Sequence, residues 1–154
     1  MGRRVKFNYV ERLVDPLPGE SGIQYLHEPV IVVRAIGPSG TPWLIQGLLD
    51  TGADETLLPM RFRDRQGVAR GGRYTLKGAG GSPLVAWIGE VDLEMGSPRA
   101  SYRWSARVGF TPRRDVAIWG RHGFLNYFTA TFDGLRRSVS LRSNGSAPAP
   151  RFGD

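Results

Sequence analysis

Short runs of alternating apolar and polar residues, separated by glycine and proline, make up most of this chain. Residues 28–36 are rich in β-branched side chains, which favour strands, and the turn sequence 37–40 follows them. Residues 43–49 are almost wholly apolar, as is typical of a buried strand, and that strand ends at Asp50. Because no long stretch has the apolar periodicity of a helix, the pattern predicts a mostly β fold.

The second half of the chain is predicted to be a series of paired strands. The expected pairs are residues 73–77 with 83–88 around Gly78-Ala79-Gly80-Gly81, 90–95 with 102–108, and 128–132 with 138–141 around Asp133-Gly134. Residues 56–58 are predicted as a strand that leaves the Asp50 turn. Residues 61–72 are polar and are expected to be irregular or to hold a short helical turn.

A chain of 154 residues fits one domain that is large enough for a buried core. We place that domain at residues 28–142. Residues 1–27 are predicted as an N-terminal extension made of an edge strand and a linker. Residues 143–154, which are rich in Ser, Ala and Pro, are predicted as a disordered tail.

Composition narrows the compartment, the cofactors and the binding partners that we expect. The chain has no cysteine, which excludes disulfides and thiolate metal sites and makes the cytoplasm the expected compartment. With 2 histidines, no metal or cofactor is expected, and no apolar run approaches the roughly 20 residues that cross a bilayer. The net charge of +7 comes from scattered arginines, so nucleic acid is not the expected partner. A basic β-barrel that binds nucleic acid stays as a third alternative.

The most informative segment is residues 48–59, where the acidic stretch from Asp50 to Glu55 separates two apolar runs. Taken alone, Asp50-Thr51-Gly52 is explained as well by a structural turn, because Asp and Gly are common turn residues. Gly52 is expected to permit a turn that residues with a Cβ resist. A carboxylate at the end of a buried strand is nonetheless the first candidate for chemistry.

The full segment, Leu-Leu-Asp-Thr-Gly-Ala-Asp included, resembles the active-site segment of aspartic proteases of the retroviral type. The resemblance covers about residues 28–142 and implies a retropepsin-like closed β-barrel with one short helix. It implies catalytic roles for Asp50, Thr51 and Gly52 in an aspartic endopeptidase that acts on peptides or proteins. The substrate-binding positions that it implies are Ala53, Asp54, Glu55, Lys77, Gly78, Ala79, Gly80, Gly81 and Ile118.

Two further segments carry the resemblance. The glycine-rich tip begins about 28 residues after Asp50 and is similar to the family's flap, a mobile hairpin that closes over bound peptide. A flexible turn is the simpler interpretation of these glycines. The segment 117–121 is similar to the family's second signature, which opens a short helix and implies a structural pair between Arg121 and Asp54. Arg121 as an ordinary surface arginine is the alternative. Trp119 departs from the family's small aliphatic residue, so the nearby specificity pocket is expected to differ.

Asp-Thr-Gly occurs once in this chain. An aspartic protease needs two carboxylates in different roles, so we expect a symmetric homodimer that places Asp50 opposite Asp50 of a second chain. Thr51 is then expected to hydrogen-bond across the dimer, and Gly52 to offer its backbone to the peptide. Ala53, where pepsins usually carry Ser, predicts a less acidic optimum than pepsin's. The alternative function is a non-catalytic peptide-binding or scaffold module on the same fold.

Overall fold

The computed structural model describes residues 3–78, 80–97, 100–112, 117–146 and 150–151. The strands in chain order are β1 (Val5–Asn8), β2 (Val10–Val14), β3 (Gln24–Glu28), β4 (Val30–Ile36), β5 (Trp43–Leu49), β6 (Leu57–Pro59), β7 (Arg73–Lys77), β8 (Pro83–Ser97), β9 (Ala100–Thr111), β10 (Ala117–Trp119), β11 (Phe128–Asp133), β12 (Ser138–Ser143) and β13 (Pro150–Arg151). Within the described residues there is one α-helix, α1 (Met60–Gln66), and one 3-10 turn, Leu125–Tyr127. The prediction of a mostly β chain with one short helix is confirmed.

A closed barrel forms the body of the molecule. Strands β9, β6, β10, β5, β4 and β8 pair in that order, and β8 pairs back onto β9, which closes a ring of 6 strands. Closure gives every strand in the ring a hydrogen-bonded neighbour on both sides. The strands β7 and β13 extend this sheet beyond the ring, at β8 and β9 respectively. The predicted closed β-barrel is therefore confirmed.

The three strand pairs predicted for the second half of the chain are confirmed. Strands β7 and β8 pair from Arg73↔Trp87 to Lys77↔Pro83, and β11 pairs with β12 around the turn at Asp133. Strands β8 and β9 form one long antiparallel pair, from Trp87↔Phe110 to Ser97↔Ala100. This pair contains both segments that the alternation had indicated.

The core lies inside the ring because each strand alternates its side chains across the sheet. In β4, Ile31, Val33 and Ala35 are buried, whereas Val32 and Arg34 face outward. Aromatic residues fill the centre; the largest fully buried side chains include Trp119, Tyr102, Phe62, Phe110 and Phe124. Burying each such ring contributes about 1.5–3 kcal/mol relative to leaving it exposed. The core therefore fixes the strands that carry the site.

Helix α1 occupies part of the segment predicted to be irregular or to hold a helical turn. It ends at Gln66 and is capped by Gly67, whose φ of 68° is left-handed and whose N–H donates to the carbonyl oxygen of Arg63. Phe62 is fully buried between Trp43 and Phe110, with ring centroids 5.8 and 6.3 Å away. One aromatic side chain thus anchors a helix whose other residues are mostly polar.

The resemblance implied a short helix after Arg121, and the structure corrects this expectation. Turns follow Gly120, and only the 3-10 turn Leu125–Tyr127 is helical. The physical reason is Gly123, whose φ of 84° interrupts any right-handed helix there. Its carbonyl oxygen also accepts a hydrogen bond from the indole of Trp104 at 2.9 Å instead of from a later backbone N–H.

The N-terminal residues pair in two places. The strand β1 pairs with β12 at the edge of a three-stranded sheet with β11. Residues 10–14 instead form β2, which pairs with β3 as a separate two-stranded hairpin. At the other end of the chain, β13 pairs with β9 inside the segment predicted to be disordered. The domain bounds stay predictions. None of the helices among the described residues is long and apolar enough to cross a membrane.

Candidate active site

Asp50 follows the last residue of β5 and is half-buried. Its backbone N–H donates to the carbonyl oxygen of Trp119 at 3.2 Å, and its own carbonyl oxygen accepts from Ala53 at 3.2 Å. The N–H of Gly52 donates to the Oδ1 atom of Asp50 at 2.9 Å. The loop therefore orients its own carboxylate, as in an Asx turn.

Gly52 is needed for a different reason from the one expected. Its φ lies outside the left-handed region, where Gly19 and Gly81 are found. A Cβ built at Gly52 would lie 3.2 Å from Asp50 Oδ1, closer than most Cβ contacts. The glycine thus gives the carboxylate room to approach the backbone, and it does not supply an unusual turn conformation.

The strand β10 holds the Asp50 loop, because it lies between the two strands that the loop connects. Ile118 pairs in parallel with Leu48 of β5 and in antiparallel with Leu57 of β6. The backbone bonds continue beyond β10, where Arg121 N donates to Ala53 O at 2.9 Å and His122 N donates to Asp54 O at 2.8 Å. The loop is thus bonded to its neighbour along most of its length.

The structure brings Arg121 and Asp54 together. The Nη2 atom of Arg121 donates to Oδ1 of Asp54. Both side chains are largely exposed, at 56% and 73%, so this pair stabilises the folded chain by about 1 kcal/mol at most. Most of the loop's rigidity comes from the backbone bonds beside the pair.

An apolar cluster links the Asp50 loop with the glycine-tipped hairpin. Its buried members are Leu57, Ala86 and Ile118. The half-buried residues packed against them are Ala53, Tyr74, Leu76 and Leu84. Two of the implied substrate-binding residues, Ala53 and Ile118, therefore share one cluster with the strands β7 and β8.

The hairpin tip is exposed. Gly81 N donates to Gly78 O at 2.9 Å, and Gly81 has a left-handed φ of 74°. Lys77, Gly78, Gly80 and Gly81 are exposed, as are Thr51 and Asp54, whereas Glu55 is half-buried. Ala79 lies outside the described residues. Within the part of the chain that the structure describes, no hydrogen bond joins the tip to the Asp50 loop.

Trp119 belongs to the core and not to the surface of the Asp50 loop. Its side chain is 0% exposed and lies in the main core, where its ring centroid is 5.2 Å from that of Phe124. Its neighbour Ile118 belongs to the separate cluster beside the Asp50 loop. Consecutive strand residues point to opposite faces, so a change at Trp119 alters the core and not a pocket next to Asp50.

Tyr74 is a residue of this site that the sequence did not reveal. Burial raises its pKa, the Glu55 carboxylate adds to the increase, and Arg107 opposes it. The Tyr74 hydroxyl also fills the space where a side chain at Gly109 would lie, 2.2 Å from an added Cβ. The alternation of exposed and half-buried positions in β7 indicates that Tyr74 faces inward. It does not show which strand Tyr74 packs against.

The arrangement offers one oriented carboxylate in a loop that shares an apolar cluster with the glycine-tipped hairpin. A single carboxylate can act as a general acid or as a general base, but it cannot hold both protonation states in one step. Of the other charged groups of the loop, Asp54 pairs with Arg121. Glu55 lies near enough to Tyr74 to add to the effect of burial in raising the pKa of that phenol. Asp50 is the carboxylate that the Gly52 N–H orients, so acid–base chemistry in this loop would start from it.

Comparison with known proteins finds matches among solved structures but not among family models or curated proteins. No family model matches the chain, and no curated protein matches it. Among the solved structures, 7 chains match. One is the EIAV protease complexed with the inhibitor HBY-793, which is 26% identical, with a TM-score of 0.43, over 61% of this chain and 82% of that chain. The description of the fold as a mostly β closed barrel rests on the strand pairings given above.

Proposed function

We propose that this protein is an aspartic endopeptidase, active as a symmetric homodimer. It hydrolyses peptide bonds with a water molecule activated by two Asp50 carboxylates, one from each chain. The observation that carries the proposal is the orientation of the half-buried Asp50 carboxylate by the Gly52 N–H at 2.9 Å, at the end of a barrel strand. The Asp-Thr-Gly sequence and the adjacent apolar cluster support the same interpretation.

The chemistry follows from placing two carboxylates about 3 Å apart, where both cannot be ionised and one keeps a proton. The ionised carboxylate takes a proton from water as the oxygen attacks the peptide carbonyl carbon. The protonated carboxylate donates a hydrogen bond to the carbonyl oxygen. Proton transfer to the amine nitrogen then releases the two products. These steps need neither a metal nor a covalent intermediate.

Each of the other residues has a role in this proposal. Thr51 hydrogen-bonds across the dimer, and the Gly52 backbone binds the peptide. The loop residues Ala53, Asp54 and Glu55 line the cleft together with Ile118. The tip residues Lys77, Gly78, Ala79, Gly80 and Gly81 close over the peptide. The packing of Ala53 and Ile118 against β7 and β8 supports this, because it places the loop and the base of the hairpin side by side.

The second candidate function is a peptide-binding or scaffold module without catalysis. The apolar cluster beside the loop favours it, because Leu57, Ile118 and Leu84 can hold a peptide strand whether or not a second carboxylate is present. Binding without cleavage would be its signature.

The test compares the protein with its Asp50→Asn variant on a denatured protein library from about pH 3 to 7, with cleavage sites mapped by mass spectrometry. Cleavage by the protein, its inhibition by pepstatin and its loss in Asp50→Asn are the expected results. Asp133→Asn is the matched control, since Asp133 also precedes a turn but ends β11, in the separate three-stranded sheet. Cleavage that persists in Asp50→Asn would refute the assignment to this residue.

A further inference from the structure

A groove lies between the N-terminal hairpin β2–β3 and the outer face of the barrel. Its volume is about 370 Å³, within the range of about 300–1,000 Å³ typical of ligand sites. The barrel contributes Val30, Leu48, Ala117 and Ile118, together with Gln46. The hairpin contributes Val10, Glu11 and Arg12 of β2 and Glu28 of β3. We call this feature the hairpin groove.

The hairpin groove is continuous with the candidate active site. Leu48 pairs directly with Ile118 and precedes Asp50 by two residues. Residues two apart along an extended chain share a face, so the side chains of Leu48 and Asp50 lie on the same face. Ile118 belongs both to the groove and to the apolar cluster that contains Ala53. A peptide bound at Asp50 would therefore have the groove next to it.

Two of the three charged residues of the groove wall are paired with each other. The guanidinium of Arg12 donates to both carboxylate oxygens of Glu28, at 2.9 and 2.7 Å. Glu11, the third, lies 3.6 Å from the imidazole of His27, whose Nε2 atom is 2.7 Å from Nη1 of Arg137. Because the floor is mostly apolar and Arg12 already pairs with Glu28, the groove favours a large uncharged side chain over an acidic one.

We propose that the β2–β3 hairpin forms one wall of the substrate cleft, and that the hairpin groove receives a large apolar side chain of the bound peptide. This inference rests on the proposed function, because it names a specificity determinant for the same site. The wall residues Val10 and Arg12 precede residues 28–142, the segment that resembles the protease family, so the hairpin would add a wall of its own to the cleft.

The test fills the groove from its hairpin side. Val10 lines the groove and is 44% exposed, so Val10→Trp can fold with its indole in the groove. Leu13 lies on the same strand, is 62% exposed and does not line the groove, so Leu13→Trp is the matched control. Thermal melting of both variants shows whether the barrel is intact.

For Val10→Trp we expect kcat/KM to fall about ten-fold or more for peptides with Phe or Leu at the responsive position. The same constant for peptides with Ala there is expected to stay within about two-fold, because Ala does not need the groove. Leu13→Trp is expected to change neither value. An unaltered preference in a folded Val10→Trp variant would overturn the proposal.

Two further measurements separate this inference from the function on which it rests. If the protein cleaves nothing, the proposed function fails, and the groove is tested by the binding of a fluorescein-labelled peptide with a central Leu-Phe pair. Weaker binding to Val10→Trp than to Leu13→Trp supports the groove, and equal binding overturns it. Sedimentation of both variants gives the last outcome: loss of a dimer in Val10→Trp alone would show that a second copy of the chain occupies the groove.

Discussion

At the scale of single residues, two neighbours hold the Asp50 loop in different ways. A Cβ at Gly120 would lie 2.2 Å from the carbonyl oxygen of Glu55, so no other residue fits there without a shift of the backbone. Arg121, the next residue, contributes an exposed ion pair with Asp54. The close backbone approach at Gly120 constrains the loop more than the charge pair does, because exposed pairs are screened by solvent.

Ala53 gives the prediction that belongs to this scale. A serine at this position can donate a hydrogen bond that favours the ionised pair of Asp50 carboxylates, whereas alanine cannot. We therefore expect Ala53→Ser to move the acidic limb of the pH–activity profile to lower pH. Ala53→Gly, which changes the packing but adds no donor, is the control. An acidic limb that stays in place in Ala53→Ser would contradict this account.

At the scale of elements, the sequence predicted what is local. The β7–β8 and β11–β12 hairpins were predictable because alternation and turn residues lie within each segment. For helix α1 the sequence left irregular chain and a short helical turn as alternatives, since 7 residues are too few for a helical period and Phe62 is its one buried apolar side chain. Its position depends on contacts with Trp43 and Phe110, which are distant in the chain.

The same distinction applies to the candidate site. The sequence alone identified Asp50 and Gly52 as candidate site residues, but it did not predict that β10 holds their loop. The position of β10 between β5 and β6 joins residues about 60–70 positions apart, and no local pattern encodes such a pairing. The hairpin groove was also hidden, because it depends on where β2 lies against Leu48 and Ile118.

The pairing of β5 with β10 gives a prediction about packing. A Cβ at Gly47 would lie 2.4 Å from the indole nitrogen of Trp119, so the glycine makes room for the buried ring. We expect Gly47→Ala to lower the free energy of unfolding by about 1–3 kcal/mol, the usual cost of overpacking. Trp119→Leu alone is expected to cost about 2–5 kcal/mol through the cavity that it leaves.

The double variant tests whether the two sites are coupled. Because the smaller leucine frees the space that the new methyl group needs, Gly47→Ala with Trp119→Leu should be less destabilised than the sum of the single variants. Urea unfolding of all four proteins measures the difference. Strict additivity would mean that the strand, and not the indole, requires glycine at position 47.

The N-terminal hairpin gives a prediction about pH. The hydrogen bond from Arg12 lowers the pKa of Glu28, and burial opposes the effect. A carboxyl group with a lowered pKa contributes stability above its unfolded pKa, and this contribution is lost as the pH falls through its folded pKa. We expect Arg12→Ala to raise the pKa of Glu28 toward its ordinary value, as measured by NMR titration of the carboxyl carbon. An unchanged pKa would show that the ion pair does not form in solution.

At the scale of the whole molecule, one closed barrel carries one Asp-Thr-Gly. The proposed chemistry needs two carboxylates, so the unit of activity would be two barrels related by a two-fold axis. The edge strand β1 leaves one side of the three-stranded sheet unpaired within the described residues, and such an edge can pair with a second chain. Sedimentation reports whether a dimer exists, but it does not report whether the active site is shared.

Mixing experiments distinguish a shared site from two independent ones. In a shared site, a chain with Asp50→Asn inactivates every dimer that it enters. After exchange of subunits between stable dimers, adding an equal amount of the variant to a fixed amount of the protein should leave about half of the activity. Roughly a nine-fold excess should leave about a tenth. Independent sites predict no loss at any ratio. The control is the double variant Asp50→Asn with a substitution that keeps the chain monomeric by sedimentation, which should not inhibit. Inhibition that grows with the variant ratio, and only for chains able to form dimers, is the result that assigns half of the active site to each chain.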